Sequence, residues 1–287
     1  LGKEAGLFVP SGTQSNLCAM LSHCGRGEEI ITGLDYHVFA HEAQGASVLG
    51  GIAFHPLQVQ ASGALDPVRI AAAVKTDDNH YPISRLLVLE NTHGGKAVPL
   101  EAIQACTQAA RGKGLSTHLD GARFFNAITA LGCSANELAA PFDTVSVCLS
   151  KGLGTPAGSV LLGSKELIAR AHRLRKLLGG AMRQVGILAA AGLYALDHNI
   201  QRLAEDHTRA KRLVEALTGA GLTAEQQTSM VFLAVPPGKA AELQATLLDQ
   251  GLLVSISEPQ SRIVMHKDLS DQHIEALAAG IIEHLAK

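Results

Sequence analysis

Lys151 ends the β-branched, apolar run Thr144-Val145-Ser146-Val147-Cys148-Leu149-Ser150 and opens the glycine-rich turn Gly152-Leu153-Gly154-Thr155-Pro156-Ala157-Gly158-Ser159. An ammonium at the end of a buried strand loses solvation, which favours the neutral amine that attacks carbonyls. Lys151 is therefore a candidate Schiff-base lysine. Asp120 closes a second run, Ser116-Thr117-His118-Leu119, and Arg123 lies one turn into the helical pattern that follows. Both can face one rim. A buried carboxylate there could keep a ring nitrogen protonated, and the guanidinium fork suits a substrate carboxylate. Spacing alone equally allows an internal ion pair that serves only the fold. A third group, Pro10-Ser11-Gly12-Thr13-Gln14-Ser15-Asn16, precedes the apolar helix pattern Leu17, Met20, Leu21. Such a helix start offers free N–H groups and hydroxyls to a phosphate, or is simply an N-cap.

An amine for an imine, an anion for a ring nitrogen and a helix N-terminus for a phosphate together meet the chemical needs of pyridoxal phosphate. The elements that must position them alternate. Glu29 to Thr32, Gly51 to His55, Arg85 to Glu90, Thr117 to Asp120, Thr144 to Leu149 and Ser159 to Leu162 read as strands, and Asp66 to Lys75, Leu100 to Arg111 and Arg123 to Leu131 as amphipathic helices. This pattern predicts an α/β fold, a mostly parallel sheet between helices. Ligands of such sheets sit outside the carboxyl ends of the strands, where Glu90-Asn91-Thr92-His93, Asp120 and Lys151 fall. After Lys165 one nearly continuous helical region is expected through Leu217. Strands at Ser229 to Val235, Leu252 to Ser257 and Arg262 to His266, with helices Lys239 to Gln250 and Ser270 to Ala286, predict a smaller α+β domain. The expected division is 1–196, a large cofactor-binding domain, and 197–287, a small C-terminal domain.

The 287 residues suffice for these two bodies, and 47% hydrophobic with 17% charged residues describes a globular enzyme. A net charge of -2 gives no electrostatic footprint for nucleic acid or an anionic membrane. The longest apolar stretch, Gly186 through Leu196, is too short to span a bilayer. The five cysteines have no metal-like or CxxC spacing, which fits reduced thiols in a cytoplasmic protein. His37 and His41, with Glu42 beside them, could be read as metal ligands on a helix, but no third ligand is indicated by spacing, and no metal is expected.

The segments PSGTQSN (10–16), HVFAHEAQGASVLG (37–50), ENTHGGK (90–96), HLDGARFFNA (118–127), CLSKGLGTPAGS (148–159), RKLLGGAMRQVGILAAAGLYAL (175–196) and RIVMH (262–266) resemble the low-specificity L-threonine aldolases. These belong to the β-eliminating lyase group of fold-type I, aminotransferase-like pyridoxal-phosphate enzymes. The resemblance implies that Lys151 carries the cofactor, Asp120 pairs with the pyridine nitrogen, Gly12 and Thr13 bind the phosphate, and His37 stacks on the ring. It implies that Arg123 and Arg262 clamp the substrate carboxylate and that His80 lies near the substrate β-hydroxyl. His93, Lys176 and Arg183 match further residues of the active-site region. The family has an N-terminal segment with an Asp-Leu-Arg-Ser-Asp-Thr motif, and this sequence starts after it. At Gly94 many relatives carry asparagine.

The implied reaction is retro-aldol cleavage of L-threonine or L-allo-threonine to glycine and an aldehyde, with His37 and His80 as candidate bases. The implied partners are a small amino-acid substrate and three further copies of the chain, arranged as a dimer of dimers. A β-eliminating lyase or aminotransferase of the same fold, or a catalytically silent homologue, are the alternative readings.

Overall fold

The computed structural model describes residues 1–286. The chain divides into two compact units, Leu1–Asp197 and His198–Lys287. In the first, β1 (Ala5–Val9) leads through the N-cap Ser11 into α1 (Gly12–His23), followed by β2 (Glu28–Gly33), the single turn α2 (His37–Ala40), α3 (Gly45–Gly50) and β3 (Ala53–Leu57). Then come α4 (Pro67–Ala73), β4 (Ile83–Glu90), α5 (Leu100–Arg111), β5 (Ser116–Gly121), α6 (Phe124–Leu131), α7 (Ala135–Ala139), β6 (Thr144–Cys148), β7 (Ser159–Gly163), α8 (Lys165–Leu177) and α9 (Gly186–His198).

The seven strands form one sheet in the order β1-β7-β6-β5-β4-β2-β3. The run from β6 to β3 is parallel, while β7 is antiparallel to both of its neighbours. Leu86, Leu87, Val88 and Leu89 of β4 are all buried, as a central parallel strand covered on both faces requires. Helix α1 packs on β5, β6 and β7 beside α8, and α5 packs on β4 and β5. The carboxyl ends of β4, β5 and β6 therefore share one rim.

The second unit contains α10 (Leu203–Gly219), β8 (Ala224–Gln227), β9 (Met230–Ala234), α11 (Ala240–Asp249), β10 (Gln260–Val264) and α12 (Asp271–Leu285). Its antiparallel sheet, ordered β10-β9-β8, shares a core with the helices that includes Leu213, Leu217, Val231, Leu233, Leu247 and Ile281. Asp206 is fully buried on α10 and accepts two hydrogen bonds from Arg202, at 2.5 and 3.2 Å.

Several expectations are corrected. The helical region after Lys165 is three helices, interrupted at the Gly179-Gly180 pair and around Asn199. Leu252 to Ser257 forms no strand. Side chains take its backbone groups instead: Gln244 Oε1 accepts from Ile256 N–H at 2.9 Å, and Ser261 Oγ donates to Ser255 O at 3.2 Å. Strand β3 begins at Ala53, because Gly51 closes α3 in a left-handed conformation. Strands β1 and β8 had no counterpart among the expected elements.

Candidate active site

At the shared rim lies a cleft of about 390 Å³ lined by the start of α1, by His37 and Glu42, by Asp120 and Ala122, and by the turn from Cys148 to Gly158. Gly12, Thr13, His37, Asp120 and Lys151 all line it. Lys151 opens a 3₁₀ turn at φ 58°, a left-handed conformation that costs a non-glycine residue energy and is held by the hairpin-like return into β7. It is exposed, so the expected desolvation of a strand-end lysine is not what the structure provides. The chain turns at Ser150, before Lys151, and carries it out of the sheet into the cleft.

Asp120 is 2% exposed. Its Oδ1 accepts from Ala122 N–H at 3.0 Å and its Oδ2 from Asn16 Nδ2 at 2.9 Å. Burial, then the charges of Glu90 and Glu42, push its carboxyl up to about 7, against the opposing pull of Lys151 and His37. His37 begins α2. Its backbone N–H donates to Glu90 Oε2 at 2.6 Å, and its Nδ1 meets Glu42 Oε1 at 2.9 Å. That bond to Glu42 holds the imidazole above its ordinary pKa. Gly12 is confined: a Cβ there would lie 2.9 Å from Cys148 Sγ, so only glycine lets the helix start approach β6 this closely.

Other expected residues are elsewhere. His80 sits on an exposed loop, its side chain 78% exposed, with its Nδ1 hydrogen-bonded to Asp78 Oδ1; it does not line the cleft. The aspartate of its own turn holds it out, through both backbone and side chain. His93 lies behind the rim, against the Tyr36 ring at 5.2 Å and within 3.2 Å of Glu90 Oε1. Lys176 lines a separate open depression on α8 with His172 and Arg173, and Arg183 is exposed in the loop before α9. Arg123 is the N-cap residue of α6, one turn earlier than expected, next to the cleft-lining Ala122. Arg262 belongs to β10 of the second unit, where it lines a cavity of about 580 Å³.

Asn16 and His118 escape the sequence reading as site residues, while it places Glu90 at the ligand rim and Glu42 beside His37 without a role in the cofactor site. Asn16 was within reach of that reading, since it stands four residues after Gly12 and so on the same helix face. His37, Glu42 and Asp120 each offer a ligand atom within 4.8 Å of the others, a grouping that could suit a metal ion. The Asn16 amide argues against that use, because its two N–H groups already point at the two carboxylates. His41 is no part of the group; its ring lies 5.6 Å from that of His37 at the end of α2.

The residues present fit pyridoxal phosphate. Three carboxylates, Glu42, Glu90 and Asp120, are buried at one end of the cleft, and Glu42 Oε2 is buried there without a partner among the described residues. A cationic ring nitrogen would answer the acidic end of the cleft, and the open N-terminus of α1 would suit a phosphate. The fold is that of the fold-type I pyridoxal-phosphate enzymes.

The β-eliminating lyase family matches residues 1–236. The low specificity L-threonine aldolase of Escherichia coli is 46% identical over 287 residues, covering 100% of this chain and 86% of the relative. A probable low-specificity L-threonine aldolase of Arabidopsis thaliana is 42% identical, covering 96% of this chain and 81% of the relative. The solved structure of a Leishmania major threonine aldolase superposes with a TM-score of 0.83 at 19% identity, over 99% of this chain and 84% of that one. The chain belongs to the β-eliminating lyase family, among the low-specificity L-threonine aldolases.

Proposed function

We propose that this protein is an aldehyde-lyase that cleaves L-threonine or L-allo-threonine to glycine and acetaldehyde, using pyridoxal 5′-phosphate. The observation that carries the reading is the meeting of Lys151, Asp120 and His37 with the N-terminus of α1 in one cleft. Lys151 would hold the cofactor through its Nζ, Asp120 would face the ring nitrogen, and Gly12 and Thr13 would face the phosphate. When bound, the cofactor supplies the sink for the electron pair left at Cα as the Cα–Cβ bond breaks.

The chain's own residues do the rest. Glu42 accepts the hydrogen bond of His37 Nδ1–H, which in the neutral ring leaves the lone pair on Nε2 to accept the β-hydroxyl proton. Glu90 fixes the backbone of His37 from β4, so the ring is placed by two carboxylates on two elements. Arg123 and Arg262 are the proposed carboxylate partners, by bidentate geometry. His80, held on its exposed loop by Asp78, stands outside this cleft.

The large unit is proposed as the cofactor-binding domain and the second as the small C-terminal domain. A cytoplasmic homotetramer is part of the same reading. Five unpaired cysteines and the exposed apolar side chains Ile187, Leu193 and Tyr194 on α9 support it. No helix among the described residues is long and apolar enough to cross a membrane.

Incubation of the cofactor-loaded protein with each threonine isomer tests the function. Equal amounts of glycine and acetaldehyde are expected, and release of ammonia and a keto acid instead overturns the reading. Lys151→Ala should abolish a borohydride-reducible cofactor adduct.

A further inference from the structure

Behind the cleft runs a buried row of polar groups whose hydrogen positions can be deduced one from another. Asn16 Nδ2 lies 2.9 Å from Glu42 Oε1 and 2.9 Å from Asp120 Oδ2, so both of its N–H groups are used on carboxylates. Its Oδ1 therefore faces His118 Nε2, at 3.2 Å, and must accept from it. With the proton on Nε2, His118 Nδ1 accepts and Thr144 Oγ1, 2.8 Å away, donates to it, against a hydrogen bond to the Thr144 backbone that favours the charged ring. The Thr144 oxygen is then left to accept from His23 Nε2, at 2.9 Å. The reverse assignment would turn the amide oxygen toward two carboxylates, which is repulsive in a buried site. Burial holds both imidazoles neutral, lowering His118 to about 3 and His23 to about 4.

We propose that Asn16 is a positioning residue: its amide, oriented by His118, is the donor that holds the Asp120 and Glu42 carboxyl groups in register, and through Glu42 it decides which nitrogen of His37 is free to take a proton. The two acids have no other shared donor. Asp120 is faced by Glu42 and His37 from the segment after β2, by Glu90 from β4 and by Lys151 from the turn after β6. Among these neighbours the negative charges outweigh the positive in their effect on it, so loss of the amide should raise the Asp120 pKa further. Glu42 Oε1, without the amide, is free to turn away from His37 Nδ1, which releases the ring's own proton to Nε2, the atom proposed to act as base. The inference rests on the reading of Asp120 and His37 as cofactor-facing groups. Its test uses cofactor-free protein, so it stands or falls separately from threonine cleavage.

The experiment is nuclear magnetic resonance of cofactor-free protein carrying ¹⁵N-histidine and ¹³C-carboxyl aspartate. Wild type is expected to show His118 and His23 as Nε2–H tautomers and His37 protonated at Nδ1. In Asn16→Leu the Asp120 carboxyl midpoint should rise by about one pH unit or more. His118→Leu, which frees the amide to turn, should raise it too, while His118→Gln, which keeps a donor for Oδ1, should leave it near the wild-type value. An Nδ1–H tautomer at His118 in the wild type overturns the proposal without any variant. So does a folded Asn16→Leu protein that loses stability with the Asp120 midpoint unmoved, since a purely structural asparagine would behave that way.

Discussion

The backbone N–H of His37 donates to Glu90 Oε2 at 2.6 Å, across 53 residues of sequence, and ties the first turn of α2 to the carboxyl end of β4. One carboxylate thus places the proposed base and at the same time presses on Asp120, whose pKa it raises. Glu90→Gln should separate these roles. The amide oxygen still accepts from His37, so the fold should lose no more than about 1 kcal/mol. The Asp120 midpoint in cofactor-free protein should fall below about 7, measured by carboxyl titration.

Asp120 also sets a pH dependence for the cofactor-free protein. Its folded pKa is raised, so its contribution to stability is full below the unfolded carboxyl value near ~4 and is lost as pH rises to about 7. Asp120→Asn removes that dependence. Its stability relative to wild type in urea denaturation should improve between pH 4 and pH 8, by an amount on the order of a few kcal/mol.

His118 and His23 act with the opposite sign. Their folded pKa values are depressed, so their contribution is present above the unfolded histidine value of ~6.5 and is lost as pH falls toward about 4 and about 3. In the Asp120→Asn background, where the opposing slope is gone, the urea midpoint should drop steeply over this window. Adding His118→Gln should flatten the drop.

Gly12 and Cys148 make a steric pair. Gly12→Ala forces a methyl to 2.9 Å from Cys148 Sγ and should cost about 1–3 kcal/mol, with weakened cofactor binding. The next atom, Ser159 Oγ, lies 3.7 Å away, so the double variant Gly12→Ala, Cys148→Ala should recover most of that loss in a thermal melt.

In the second unit, Asp206→Ala leaves Arg202, whose side chain is 16% exposed, without its bidentate partner. A loss of about 3 kcal/mol is expected in chemical denaturation, more than any surface ion pair of α10 and α12 should give.

The strands of the large sheet were legible where β-branched and aliphatic residues run unbroken, as in Leu86 to Leu89, because a doubly covered strand has no other composition open to it. Strand β8, Ala224–Gln227, carries no such mark; Ala-Glu-Gln-Gln is extended only because β9 pairs with it. The converse happened at Leu252 to Ser257, whose β-like pattern lost to hydrogen bonds from Gln244 and Ser261. At the site, Lys151 and Asp120 stood out because each ends a strand and is charged. Asn16 and His118 did not, because a buried amide and a buried neutral imidazole look like any packing residue until the partners that use their hydrogens are known.

The two halves of the cleft differ in how far apart their parts lie along the chain. The Lys151 turn is closed by neighbouring strands β6 and β7, with Cys148 and Ser159 only 11 residues apart. Asn16 and Asp120 must meet across 104 residues. Short loops close early and long ones late, so a folding chain acquires its lysine before its aspartate and amide. A ligand that needs both halves then binds only chains in which the late closure is complete, and withdraws those from the pool still able to unfold. Cofactor supply during synthesis should therefore govern how much of the protein accumulates, quite apart from how fast each finished molecule turns over.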